Sequence, residues 1–144
     1  MADDAIKPAV VAALVKDGWT ITHDPYTLKV GGVRVQADIG AERIIAAERG
    51  ADRIAVEIKS FLSPSPVSDF HDALGQYLMY WSLIRRGDPD RRLYLAVSED
   101  VQQTVLPREG VRFVLDDFPV AFVVVRLSSE EVVTWIESPT TGPS

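Results

Sequence analysis

Two acidic residues and a lysine have the types and spacing of a cation-dependent hydrolytic site. Asp38 precedes the tripeptide Glu57-Ile58-Lys59 by 19 positions. A divalent cation such as Mg²⁺ or Mn²⁺ prefers hard oxygen ligands, which two carboxylates and the Ile58 carbonyl would supply. The bound ion would lower the pKa of a water molecule and neutralise charge that develops on a phosphate. Asp38, Glu57 and Ile58 are therefore candidate metal ligands.

Lys59 is the candidate cationic partner of these carboxylates. It follows Glu57 by two residues, so both side chains would project from one face of a strand. The ammonium group would hold the attacking water or stabilise the transition state as a point charge. An acid followed two residues later by lysine also occurs as a solvated cross-strand salt bridge, and this alternative stays open.

A third candidate is Gln76, which precedes Tyr80 by four residues and so shares a helix face with it. The segment QYLMY resembles the Gln-x-x-x-Tyr element that follows the catalytic lysine in RecB-like nucleases. In that role Gln76 would point toward the strand ends and contact substrate or a metal-bound water. The alternative is that Gln76 and Tyr80 only border the hydrophobic core.

Composition limits the remaining function classes. The 144 residues contain no cysteine, which excludes disulfide scaffolds, thiolate zinc sites and cysteine nucleophiles. The sequence shows neither a membrane span nor a signal peptide, so we expect a cytoplasmic protein. The net charge is −6, with the only basic doublets at residues 85–86 and 91–92. Any binding to DNA is therefore expected to be weak, metal-assisted or shared with a partner.

The elements that must position these residues follow from the hydrophobic pattern. Residues 5–16 have helical spacing, with Asp3 or Asp4 as the N-cap and Gly18 as the end. Residues 26–30 and 33–39 are predicted as a hairpin around Gly31-Gly32. In its second strand Asp38 would lie on the polar face, opposite an apolar face formed by Val33, Val35, Ala37 and Ile39.

Further along the chain, residues 42–48 and 53–60 are predicted as strands separated by a turn at 49–52. Ser68 is predicted to cap a helix that ends near Arg86. Its buried stripe would consist of Phe70, Leu74, Tyr77, Leu78, Trp81 and Ile84. A central strand at 93–97, a helix around 111–118 and closing strands at 120–127 and 131–135 complete the prediction. This order predicts an α/β (α+β) fold with one mixed sheet flanked by helices.

Several segments, in order, resemble the XisH family, and the similarity runs from about residue 4 to residue 135. They are KDGWTITHDP (16–25), DIGAE (38–42), AAE (46–48), IAVEIKSF (54–61), FHDALGQY (70–77) and LYLAV (93–97). The resemblance implies an fdxN element excision controlling factor, which acts in DNA rearrangement in cyanobacteria with a companion protein, XisI. It also implies the restriction-endonuclease-like fold of the PD-(D/E)XK nuclease superfamily.

Carried over from the family, Asp38, Glu57 and Lys59 take the positions of the nuclease motif, and Gln76 that of the downstream helix residue. Two departures stand out. The family often has an acidic residue in the first helix where this chain has Pro8. The interval from Asp38 to Glu57 is also longer than in compact resolvases of this fold, which leaves Glu42 as a rival for the first carboxylate. The alternation around Asp38 favours Asp38.

We expect a single domain over residues 1–137 and a disordered tail at 138–144, rich in Pro, Thr, Gly and Ser. Two functions fit the sequence. One is a metal-dependent DNA endonuclease. The other is an inactive nuclease-fold module that regulates excision by binding an XisI-like protein. A homodimer is a further expectation, because many nucleases of this fold pair to reach both DNA strands.

Overall fold

The computed structural model describes residues 5–46 and 50–138, without the side chains of residues 45 and 46. The helices are α1 (Lys7–Lys16), α2 (Pro66–Gly87), α3 (Glu99–Thr104) and α4 (Glu109–Asp117). The strands are β1 (Thr20–His23), β2 (Tyr26–Val30), β3 (Val33–Ala37), β4 (Ile39–Ala46), β5 (Gly50–Ile58), β6 (Arg91–Ser98), β7 (Phe122–Arg126) and β8 (Glu131–Ile136). Within these ranges no helix is long and apolar enough to cross a membrane.

Six strands form one mixed sheet in the order β1-β4-β5-β6-β7-β8, and β2 and β3 form a separate two-stranded sheet. Strands β5, β6 and β7 run parallel, while the outer pairs β1–β4, β4–β5 and β7–β8 are antiparallel. The predicted α+β class and the central position of β6 are confirmed. Parallel strands require both faces of a sheet to be covered, and the apolar sequence of β6 meets that requirement.

The two faces of the large sheet belong to separate hydrophobic cores. The core on one face joins α1 to Ile39, Ile54, Val56 and Ile58. The core on the other face joins α2 to Ala55, Leu93, Leu95 and the β2–β3 hairpin. Alternate residues of each central strand therefore enter opposite cores, so any side chain on the α2 side of β5 lies between the sheet and that helix.

The β2–β3 hairpin is fixed to the end of α2 by polar groups as well as by packing. Tyr26 donates a hydrogen bond from its hydroxyl to Asp88 Oδ2 at 2.7 Å. The buried Arg91 donates from Nε to the same oxygen at 2.9 Å and from Nη1 to the Ile54 carbonyl at 2.9 Å. Its guanidinium also lies over the Tyr26 ring. A two-stranded sheet is marginal alone, so these contacts hold it in place.

The boundary of the predicted hairpin is wrong at its second strand. β3 ends at Ala37, Asp38 lies in a bend, and Ile39 begins β4 in the other sheet. Val35 and Ala37 enter the α2-side core, whereas Ile39 enters the α1-side core. Of the four apolar residues predicted to form one face, Val33 is exposed and the other three serve two cores, because the chain changes sheets at Asp38.

Helix starts and short elements account for the other differences. α1 begins at Lys7 after Ile6 at the N-cap, while Asp3 and Asp4 lie outside the described residues. Ser65, rather than Ser68, caps α2, because its side chain accepts the Ser68 N–H. The predicted turn at 49–52 is shorter, since β5 already begins at Gly50, and β1 and α3 were not predicted.

The other predicted elements are present with small boundary shifts. In the α2 stripe, Phe70, Tyr77 and Ile84 are buried, and Leu74, Leu78 and Trp81 pack partly buried against the same core. The helix predicted around 111–118 is α4, and the closing strands are β7 and β8. Ser138 is buried, while the rest of the predicted tail, 139–144, and residues 47–49 lie outside the described chain.

Two glycines of α2 make a matched test of how the hairpin packs. A Cβ at Gly87 would lie 2.5 Å from Val30 Cγ2, whereas one at Gly75 would meet nothing within 4 Å. We expect Gly87→Ala to destabilise the protein by about 1–3 kcal/mol, because the stiff valine must move. Gly75→Ala should stabilise it by about 0.5–1 kcal/mol. Denaturant unfolding measures both, and equal effects would contradict this packing.

The carboxylate that holds the hairpin should make its stability depend on pH. Burial favours a higher pKa for Asp88, but hydrogen bonds from Arg91 and Tyr26 and the charge of Arg91 outweigh it and lower the pKa. The stabilisation is therefore present above the unfolded-state pKa and is lost as pH falls through the folded one. We expect Asp88→Asn to cost about 1–2 kcal/mol at neutral pH and less in acid. Denaturant unfolding at several pH values measures this. A difference in unfolding free energy between wild type and Asp88→Asn that stays the same at every pH would contradict the prediction.

Candidate active site

Asp38 is held beside the end of β5 by a hydrogen bond to the backbone. Its Oδ2 accepts the N–H of Ile58 at 2.7 Å. The last backbone pair of the β4–β5 ladder is Ile39 with Val56, so continuing this register places Asp38 opposite Glu57. Opposite residues of an antiparallel pair lie on the same face and close together. The hydrogen bond thus holds Asp38 at the end of β5, and the extended register predicts that its carboxylate lies near Glu57.

Glu57 and Lys59 lie on the α2 side of β5. Their neighbours Val56 and Ile58 are in the α1-side core, and strand alternation directs Glu57 to the opposite face. The Glu57 residue is only 5% exposed. Lys59 is partly buried, and its N–H donates to the Ala96 carbonyl at 3.1 Å, which continues the β5–β6 ladder by one residue. Continued alternation places the acid and the lysine on one face, and their joint action stays a prediction.

The Asp38 carboxylate and the backbone of Ile58 lie at the same edge of β5. In an extended strand the N–H and C=O of one residue point to the same edge, so the Ile58 carbonyl lies on the edge that faces Asp38. This carbonyl and the carboxylates of Asp38 and Glu57 are the hard oxygens predicted as metal ligands. Within residues 5–46 and 50–138 no three His, Cys, Asp or Glu residues cluster around a common point. Mg²⁺ is often held by only one or two carboxylates and keeps several water ligands, and its binding here stays a prediction.

Glu42, the rival first carboxylate, lies elsewhere. It pairs across the sheet with Arg53, whose Nε contacts Glu42 Oε1 at 3.0 Å. Asp38 is four residues earlier, which is about 13 Å along an extended strand. Glu42 thus occupies the kind of cross-strand salt bridge that was the alternative for Glu57 and Lys59. The position opposite Glu57 belongs to Asp38.

Gln76 lies on the exposed side of α2 and donates from Nε2 to the Tyr80 hydroxyl at 3.2 Å. No hydrogen bond in the described chain joins it to Asp38 or Lys59. The intervening Tyr77 is buried, donates to the Leu93 carbonyl and accepts the Ala121 N–H. Tyr77 fixes the rotation of α2 on the sheet, and the role of Gln76 stays a prediction.

His23 was expected from the sequence to be a locally bonded turn histidine, and Asp69 was not recognised as a candidate. His23 packs over Gly40, where a Cβ would come within 3.0 Å of the His23 side chain, so this imidazole lies beside β4 close to Asp38. Asp69 is buried in the first turn of α2 and accepts the Ser63 N–H at 3.2 Å. It thereby fixes the loop that follows Lys59. Its signal was an acid in the first turn of a helix behind a Ser-Pro-Ser-Pro loop.

The structure defines an α+β protein in which the Asp38 carboxylate is hydrogen-bonded to the end of β5. The sequence matches the family model described as XisH protein over residues 1–133, and the chain belongs to the XisH family. No curated protein matches the chain.

Two crystal structures are similar over almost their whole length. An XisH family protein from Nostoc punctiforme PCC 73102 is 39% identical with a TM-score of 0.83, over 93% of this chain and 100% of that one. An fdxN element excision controlling factor protein from Anabaena variabilis is 40% identical with a TM-score of 0.84, over 93% and 99%. Similarity at this level extends to the whole described fold.

The hydrogen bond between Asp38 and Ile58 can be tested without any assay of activity. Asp38→Ala should cost about 1–3 kcal/mol, because the Ile58 N–H loses its acceptor. Asp38→Asn keeps an acceptor oxygen and should cost clearly less. Denaturant unfolding gives the energies, and hydrogen exchange at the Ile58 amide shows whether this site is the one affected. Equal protection of that amide in both variants would contradict the assignment.

Proposed function

We propose that this chain is a divalent-metal-dependent DNA phosphodiester hydrolase with the restriction-endonuclease-like fold of the PD-(D/E)XK superfamily, and that it serves the excision of a DNA element. The observation that carries the proposal is the hydrogen bond from Ile58 N–H to Asp38, because it fixes one carboxylate at the end of the strand that carries Glu57 and Lys59. The role in excision rests on family membership and on the name of the Anabaena variabilis relative.

Each residue has a definite task in this proposal. Asp38, Glu57 and the Ile58 carbonyl hold Mg²⁺ or Mn²⁺, which when bound lowers the pKa of water and neutralises phosphate charge. Asp38 keeps its orientation because one of its oxygens is already bound to the Ile58 amide. The Lys59 ammonium forms no ion pair in the described chain, so it is available to orient water or to stabilise negative charge. Gln76 would contact the substrate from α2.

A second function is a nuclease-fold module that regulates excision by binding an XisI-like protein and does not cleave DNA. It is favoured by the small acidic set, since the described residues contain no third clustered carboxylate or histidine. The net charge of −6 also opposes tight binding of DNA by this chain alone.

Cleavage of DNA separates the two functions. With Mg²⁺ or Mn²⁺, the wild type should cut supercoiled, linear or branched DNA, and chelation of the metal should abolish cutting. Glu57→Gln and Lys59→Met should each lower the rate by about 100-fold or more, because they remove a metal ligand and a charge on the transition state. Gel assays of rate and calorimetry of Mn²⁺ binding provide the measurements.

Glu42→Gln is the matched control, because it removes one carboxylate from the same sheet without touching the strand end. It should cut at the wild-type rate. Equal DNA cleavage by the wild type and Glu57→Gln, unchanged when the metal is removed, would refute the proposed hydrolase activity. Calorimetric binding of purified XisI-like protein by all variants, with no cleavage by any, would instead support the regulatory module.

A further inference from the structure

The outward face of the β2–β3 hairpin is polar and cationic. Thr27, Lys29, Arg34 and Gln36 are all exposed and form this outer row. In the hairpin register Thr27 is opposite Gln36, and Lys29 is directly opposite Arg34. Tyr26, Leu28, Val35 and Ala37 alternate with them and pack toward α2. The row therefore consists of side chains that donate hydrogen bonds, with two positive charges at the end nearest the turn.

Within residues 5–46 and 50–138, these two charges have no counterion. Neither Lys29 nor Arg34 makes a side-chain ion pair or hydrogen bond in the described chain. No Asp or Glu occurs between residues 26 and 37, although acids outnumber bases 21 to 15 overall. Like charges directly opposite each other destabilise a sheet. Five other arginines form ion pairs with carboxylates, namely Arg43, Arg53, Arg91, Arg92 and Arg126.

Hydrogen bonds hold the hairpin that carries the outer row, and the end of its second strand is next to Asp38 in the chain. The hydrogen bonds among Tyr26, Asp88 and Arg91 fix the base of the hairpin. β3 runs from the Gly31-Gly32 turn and is followed immediately by Asp38. Arg34 and Asp38 are four residues apart, about 13 Å in extended chain. At 3.4 Å per nucleotide of one strand, this equals the axial length of about four base pairs.

We infer that the outer row of the hairpin binds the phosphate backbone of duplex DNA and holds it against the Asp38–Glu57 site. This inference rests on the proposed function. One phosphate lying across Lys29 and Arg34 would neutralise their repulsion, while Thr27 and Gln36 add donors typical of backbone contacts. A local cationic surface also explains how a chain of net charge −6 would engage DNA without a long basic run.

The test measures binding to a mixed-sequence DNA duplex over a range of salt, with the metal chelated so that nothing is cut. In Lys29→Gln/Arg34→Gln, the slope of log affinity against log salt should be smaller by about 2, with at least about tenfold weaker binding at moderate salt. Arg86→Gln/Arg112→Gln removes the same charge from exposed positions on α2 and α4, and should bind like the wild type.

A charge reversal distinguishes binding from mere folding. Lys29→Glu puts opposite charges face to face across the hairpin, so its thermal midpoint should equal or exceed that of the wild type. DNA binding should nevertheless fall further than in Lys29→Gln. Weakened binding together with a lowered midpoint would indicate a structural role and overturn the inference.

The failures of the inference and of the proposed function are distinguishable. A wild type that binds through the row but cuts nothing contradicts the hydrolase alone. A wild type that cuts DNA, with hairpin variants that bind and cut equally well, overturns the inference alone. Absence of any DNA binding, or stronger binding to a duplex RNA of equal length, also overturns the assignment of this surface to DNA.

Discussion

The hydrogen bond from the Ile58 amide to Asp38 is the interaction on which the candidate site depends. Regular backbone pairing between β4 and β5 stops at Ile39, because the chain turns there toward the two-stranded sheet. The Asp38 side chain takes the place of the missing backbone acceptor. An amide that would otherwise lose its partner is thereby satisfied, and a carboxylate is fixed beside Glu57 at the same time.

Glu57 is a buried carboxylate at one end of a sheet whose inner residues are otherwise mostly apolar. β5 and β6 are buried on both faces, and nearly all their inner residues are apolar. Burial of a carboxylate is costly unless charge or hydrogen bonds compensate it. Glu57 is one of few acidic residues buried in the described chain, and Lys59 follows on the same face. Such local departures from a hydrophobic pattern are typical of functional sites.

Much of this arrangement is predictable from the sequence, because alternation and helical spacing report burial directly. The shared face of Glu57 and Lys59, the central β6 and the α2 stripe all follow from such periods. The change of sheets at Asp38 does not, since Val35, Ala37 and Ile39 keep a two-residue period while entering two different cores. The preference for Asp38 over Glu42 was thus supported by alternation that the fold breaks. Which of the two carboxylates lies at the end of β5 depends on tertiary strand pairing, and local sequence patterns do not encode that pairing.

Asp38 connects the two-stranded β2–β3 sheet to the six-stranded sheet. On one side it continues a hairpin braced by Arg91, and on the other it begins a strand of the main sheet. Under the proposed function, a metal ion bound at Asp38 and DNA bound on the hairpin would share this one connection, so each would alter the affinity of the other. Thermodynamic linkage makes that effect mutual, by the same factor in both directions. Under the proposed function, a single aspartate at a change of sheets would thus couple the binding of the metal ion to the binding of DNA.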